Sequence, residues 1–311
     1  MTDNPIEIVG LSKAYGEFKA VDNLTLSIKK NSFTGLLGPN GAGKSTTLKI
    51  ITNLIRKTSG SVLLNGIDVT TNPKEALVGI GTVVETPEFY LYLTPRESME
   101  YIGKLIGMTN ESIKSETDEI LQIMKMTEWA DKKLGTFSKG MRQRIAIGQA
   151  LMDKPNIIFL DEPTSGLDPR GMAETRDILK SLRNRDLTIL MSSHLLNEVS
   201  DLCDRVAMIN HGKLLVHDDF DKVTAVDGNR IIKAKISTDI TSELIGRIRS
   251  IPNVLSAENY GGEIEIRLDG GNAEQSQLLS SMFAMNVGLY SLSGDDRLLE
   301  AKYLDLIKET K

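Results

Sequence analysis

Cysteine occurs once in these 311 residues, at Cys203, so an internal disulfide is excluded and a reducing compartment suits the chain. Its surroundings, "LNEVSDLCDRVAM", read as a half-buried helix on which Cys203 is a small apolar residue rather than a reactive thiol. Neither cysteine nor histidine occurs after residue 220, which argues against a metal or nucleophile site of the usual type there. An excess of basic charge is lacking as well. With 37 Lys and Arg against 42 Asp and Glu, the net charge of −5 argues against direct nucleic-acid binding. No apolar run approaches the roughly 20 residues that span a bilayer, and "MTDNPIEIVG" has neither the basic start nor the apolar stretch of a secretion signal. The chain is expected to be soluble by itself and to meet a membrane only through a partner.

What is present is ordinary globular composition, 40% hydrophobic and 25% charged, in a length that suits two units. "IEIVGLSKAYG" and "LTLSI" read as strands, and "SFTGLLG" as a strand running into a glycine-rich segment. "TLKIITNLI" has apolar residues at helical spacing, and a helix-rich block follows. "PNIIFLDEP" and "LTILMSSH" are continuous apolar runs of the kind buried on both faces, with the amphipathic "MAETRDILKSLRNR" between them. The alternation predicts an α/β unit over residues 1–220 with a mostly parallel sheet and a helical subdomain at about 86–150. From residue 221 the pattern changes to βαββαβ, a small ferredoxin-like α+β domain over 221–311. Gly261 and Gly262 turn its hairpin, and "DRLLEAKYLDLIKE" reads as a last helix.

The segment "GPNGAGKST" fits G-x-x-x-x-G-K-S/T and lies after a strand and before a helix, where a P-loop must lie. Gly38, Asn40, Gly41 and Gly43 supply backbone that turns its N–H groups around phosphate oxygens, and the helix N-terminus points its positive end at the same anion. Lys44 reaches the β- and γ-phosphates, Ser45 takes Mg²⁺, and Thr46 faces the α-phosphate in this reading. "IIFLDEP" then delivers Asp161 to the end of a buried strand as a metal carboxylate, with Glu162 beside it to polarise water. In "FSKGMRQRIAIGQALM", Ser138 and Gly140 open a further helix and offer a second anion site. Two such sites for one triphosphate imply that the second serves a nucleotide held by another copy.

In this order the motifs resemble the nucleotide-binding subunit of an ATP-binding cassette (ABC) transporter over the first 220 residues or so. The resemblance implies that Tyr15 in "KAYGEF" stacks on adenine and that "FSKGM" is the signature segment, departing from LSGGQ at Phe137, Lys139 and Met141. It also implies that Asp168 in "SGLD" crosses a dimer interface and that His194 in "SSH" contacts the γ-phosphate. Where the family generally has a glutamine near the metal, "GTVVETPEFYLYLTP" has Glu85, a carboxylate that accepts hydrogen bonds but donates none when ionised. Phe89, Tyr90 and Tyr92 follow, in the subdomain that meets the membrane partner in the family. The "VVETPEFYLYLT" form, Lys139 and the extra carboxyl-terminal domain resemble the drug, bacitracin and lantibiotic-type exporter ATPases.

The resemblance implies an ATP-hydrolysing subunit that binds Mg²⁺ and ATP, closes as a head-to-tail homodimer and drives export through separate membrane permease subunits. Such a protein is cytoplasmic and peripheral at the inner face of the membrane. An importer ATPase, or a soluble ABC ATPase acting as a nucleotide-gated binding module, are the rivals. Glu162 argues against a module that does not hydrolyse.

Overall fold

Ile6, Ile8, Leu26 and Ile28 are apolar at every second position and line one buried face of a hairpin of β1 (Ile6–Tyr15) and β2 (Phe18–Ile28). The arrangement comes from a computed structural model, which describes residues 3–183, 185–224 and 229–294. Its contacts divide the chain into two units, Met1–Asp218 and Asp219–Lys311.

In the first unit β3 (Phe33–Leu37) is buried at every position and leads through a loop into α1 (Lys44–Ile51). β4 (Ser59–Leu64) and β5 (Ile67–Asp68) join the hairpin in an antiparallel sheet of order β2-β1-β4-β5. After α2 (Pro73–Ala76) comes β6 (Ile80–Val83), then α3 (Pro95–Leu105), α4 (Asn110–Ile123) and α5 (Lys139–Ala150), which pack on one another. Thr94 and Glu97 close a reciprocal cap on α3, with Pro95 at its first position. The remaining elements are β7 (Ile157–Asp161), α6 (Pro169–Leu182), β8 (Thr188–Ser193), α7 (Leu196–Leu202), β9 (Arg205–Asn210) and β10 (Lys213–Asp219).

These strands make a second sheet in the order β10-β9-β3-β8-β7-β6, and the pairs from β9 to β6 are parallel. The first unit therefore has two sheets. The half-solvated hairpin strands alternate in polarity, whereas β3, β8 and β9 are buried on both faces and carry continuous apolar runs. The same distinction corrects the reading of "LNEVSDLCDRVAM" as one helix. α7 ends at Leu202, Cys203 is extended at φ −103° and ψ 145°, and "RVAMIN" is the fully buried β9. A short apolar run is ambiguous between buried strand and buried helix by periodicity alone.

The second unit begins with α8 (Phe220–Thr224) and follows with β11 (Asn229–Ile236), α9 (Ser242–Arg249), β12 (Val254–Tyr260), β13 (Glu263–Asp269), α10 (Asn272–Ala284) and β14 (Leu289–Gly294). Its antiparallel sheet has the order β12-β13-β11-β14, the ferredoxin-like arrangement. Ile232, Ile248, Ile264, Ile266 and Met282 belong to its own core. The β12–β13 turn is at Gly261 and Gly262, with φ of 61° and 86°. The helix expected from "DRLLEAKYLDLIKE" lies outside the described residues.

β6 and α5 meet without room for a side chain. A Cβ on Gly81 would stand 2.0 Å from the carbonyl oxygen of Ala150, the last residue of α5. The absent side chain lets α5 lie against the sheet, and α5 carries Ser138 at its other end. Gly81→Ala is expected to destabilise the protein by about 1–3 kcal/mol through forced separation of these elements. Urea denaturation measures this, and an unchanged midpoint would show that the contact relaxes at no cost.

Candidate nucleotide and hydrolysis site

β3, β8 and β7 end at one edge of the parallel sheet. Leu37 pairs with Ser193, and Asp161 pairs with Ser192. The loop from Gly38 to Gly43 leaves β3 at this edge and turns into α1, so Lys44, Ser45 and Thr46 occupy the first helical turn. Two glycines are required by the surrounding backbone. A Cβ on Gly38 would lie 2.4 Å from Ile209 O, and one on Gly43, at φ 101°, would lie 2.4 Å from Ala20 O. Asn40 and Gly41 are exposed at the loop tip.

Lys44 is buried and points back under the loop. Its Nζ donates to Gly38 O at 2.8 Å and Pro39 O at 3.1 Å, and stands 3.3 Å from Glu162 Oε1. An ammonium group has three donors, and these contacts engage all of them. The other carboxylate oxygen of Glu162, Oε2, is 3.0 Å from His194 Nδ1. Asp161 Oδ1 accepts from Ser45 Oγ at 3.1 Å and from Ser192 Oγ. Ser192 Oγ in turn accepts the backbone N–H of Glu162 at 2.9 Å. Glu162 adopts a left-handed backbone, φ 44°, which is strained for a residue with a side chain and must be held by these neighbours.

Ser138 and Asp168 cap helices. Ser138 accepts from Met141 N at the start of α5, and Asp168 accepts from Gly171 N at the start of α6. The two helix starts face one another across a cavity of about 500 Å³ lined by Ser138, Gly140, Arg144, Asp168, Arg170 and Glu174. Lys139, which replaces a small residue of the signature pattern, donates to Ser165 O at 3.1 Å and so ties α5 to the loop before Asp168.

Residues 21–165 match the ABC transporter family. Over 308 residues, 98% of this chain and 99% of the relative, the sequence is 33% identical to the linearmycin resistance ATP-binding protein LnrL of Bacillus subtilis (strain 168). The chain belongs to the ATP-binding proteins of ABC transporters. It is also 43% identical over 217 residues to the bacitracin transport ATP-binding protein BcrA of Bacillus licheniformis, covering 70% of each. Among solved structures, the ADP conformation of MJ1267, an ATP-binding cassette of an ABC transporter, is similar with a TM-score of 0.64 and 26% identity, over 71% of this chain and 93% of that one. Membership makes this an ATPase subunit that binds ATP, with the expected mixed α/β cassette fold.

Glu85, expected near the metal with Ser45 and Asp161, has its carboxylate paired with Lys49, one helical turn beyond Ser45 on α1. It too has a left-handed backbone, φ 75°, and its side chain is 61% exposed. Tyr15 is exposed at the end of β1, with the Lys13 ammonium 4.7 Å from its ring centre. Tyr90 and Tyr92 are exposed and their rings are 5.8 Å apart, while Phe89 is half-buried beside Arg142 and Gln143 of α5. The hydroxyl and carboxylate pair of Ser45 and Asp161 fits Mg²⁺, a hard cation that takes oxygen ligands and completes its shell with water and phosphate.

Sequence reasoning missed Ser192. "SSH" was read for its histidine alone, and the serine that bridges Asp161 to the Glu162 backbone shows itself only through the β7–β8 register. The same strand system buries Cys203, whose sulfur closes on Gly35 of β3. Burial pushes its thiol well above the ordinary range, and the Asp204 carboxylate adds to the effect. Because the folded thiol keeps its proton to higher pH than an unfolded one, its contribution to stability is whole below about pH 8.5 and declines above it. A thiol-reactive dye at pH 8 is expected to label the native chain at least about 100-fold more slowly than the urea-unfolded chain. Equal rates would contradict the burial of Cys203.

Proposed function

We propose that this chain hydrolyses ATP as one of two head-to-tail copies beneath separate membrane permease subunits and so drives export of an antibiotic cargo. The observation that carries the hydrolytic part is the convergence of Lys44, Glu162 and His194 at the mouth of the Gly38–Thr46 loop. The relatives support the export part. One is named for linearmycin resistance and is matched along 99% of its length, another is named for bacitracin transport, and a third, from Streptococcus pyogenes, for lantibiotic transport. A solved cassette similar to this one, at 28% identity and a TM-score of 0.60, is a dimer in a post-hydrolysis state bound to ADP and Pi.

In this reading residues 1–220 bind nucleotide, with the 86–150 subdomain towards the permease, and residues 221–311 support the dimer. The protein works at the inner face of the membrane. Lys44 leaves Glu162 for the β- and γ-phosphates, and Thr46 lies by the α-phosphate. Glu162, freed of the Lys44 contact, accepts the proton of the attacking water as the bond to ADP breaks. His194 is held on Glu162 through Nδ1 and presents the rest of its ring to the γ-phosphate. Ser45 and Asp161 would hold Mg²⁺, which would supply charge neutralisation at the phosphates. Ser138 and Gly140 of the opposite copy close over the γ-phosphate, Asp168 lies along the seam, and Tyr15 meets the adenine. Glu85 would leave Lys49 to help hold the metal with Ser45 and Asp161, and so pass nucleotide state to the permease.

Glu162→Gln is expected to slow phosphate release from Mg-ATP by roughly 10²–10⁴-fold and to accumulate an ATP-dependent dimer in light scattering, while the wild type stays mostly monomeric. Turnover at the wild-type rate without dimer would remove Glu162 from the reaction. Glu85→Gln is expected to bind ATP almost normally and to alter transport in cells. Wild-type transport by that variant would sink the coupling role.

A further inference from the structure

Behind the cluster lies a carboxylate that none of these steps uses. Glu198, in the first turn of α7, is 2% exposed. Its Oε2 accepts from Ser193 Oγ at 2.8 Å, and its Oε1 accepts from Thr164 Oγ1. Ser193 Oγ also accepts the Leu195 N–H at 3.0 Å, and of its two acceptors Glu198 is nearer than Leu195 O at 3.4 Å. Both hydroxyl residues are 1% exposed. Ser193 immediately precedes His194, and Thr164 is two residues beyond Glu162. One buried carboxylate thus fastens the two chain segments that carry the Glu162–His194 contact.

Those segments need fastening. Glu162 is held in a strained backbone, and the His194 side chain is 35% exposed, so packing alone does not fix its ring. The buried carboxylate is itself costly unless both oxygens keep their donors, so the three side chains hold a single arrangement. We infer that Glu198 is a positioning residue for hydrolysis: it locks the ends of β7 and β8 so that Glu162 and His194 stay within hydrogen-bond distance. This inference rests on the roles proposed above for Glu162 and His194.

The test uses the full-length chain with Glu198→Ala and Thr164→Val, each alone and combined with His194→Ala, and with Glu162→Gln as reference. Glu198→Ala is expected to lower kcat for Mg-ATP roughly tenfold or more with KM within about twofold, because the loss is one of geometry at the reacting water. In the His194→Ala background the further loss should shrink to under about twofold, as for residues acting through one another. The His194 ring resonances in Glu198→Ala should move towards their positions in Glu162→Gln. Thr164→Val keeps the side-chain shape and removes one donor, so it should shift kcat and the ring signals in the same direction, and it decides the matter if Glu198→Ala does not fold. An unchanged kcat, an equal loss in both backgrounds, or wild-type His194 resonances would overturn the inference. A failed hydrolytic reading is distinguishable, since Glu162→Gln would then leave kcat unchanged while the ring signals still report whether Glu198 positions His194.

Discussion

The parallel pairing of β7 with β8, with Asp161 opposite Ser192, is the constraint on which the site depends. On the other side of β8, Leu37 is opposite Ser193, so the strands ending in "GPNG", "DEP" and "SSH" open at one edge. Ligands of open α/β sheets bind beyond the carboxyl ends of such strands. A slip of one residue between β7 and β8 would reverse the faces of every side chain and part Ser192 from Asp161. The slip is opposed by burial on both faces. Phe159, Leu160, Leu190 and Met191 are completely buried, and a slip would force each into packing shaped for a different side chain.

That edge also solves an electrostatic problem. Lys44 is buried, and an ammonium group taken from water needs replacement for each lost hydrogen bond. Two loop carbonyls and Glu162 provide this, and the same contact balances the Glu162 carboxylate, which His194 approaches from its other oxygen. The pair explains how a lysine and a glutamate sit together behind a loop built to attract anions. A phosphate reaching Lys44 would compete with Glu162 for one cation, so phosphate binding and the Lys44–Glu162 contact oppose one another.

Local chemistry was legible in the sequence. The loop at Gly38–Thr46 could be read because its glycines and lysine are contiguous, and β7 and β8 because strands buried on both faces are unbroken apolar runs. What escaped depends on contacts remote in sequence. Ser192 and Asp161 are 31 residues apart, and Thr164 and Glu198 are 34 apart, so neither contact exists until the sheet register is set. Cys203 was misplaced because the apolar residues after it fit a helix as well as the buried strand they form. The Lys49 contact of Glu85 was not legible either, since it depends on the reach of a side chain from α1.

Glu85, Glu162 and Glu198 show why burial separates roles that sequence does not. The side chains of Glu85 and Glu162 are 61% and 24% exposed, and each is held by a lysine. The Lys49–Glu85 pair is open to solvent, so it is screened and worth little, whereas Glu162 is held by a lysine whose side chain is only 4% exposed. Glu198 is 2% exposed and held by two hydroxyls, so a lost donor there is not made good by bulk solvent. Exchange there would leave a charge unpaired in the core, so that contact suits a part that must stay fixed while its neighbours move. The proposed roles follow this difference: Glu85 and Glu162, proposed to change partners, keep contact with solvent, and Glu198, inferred to hold the frame, does not.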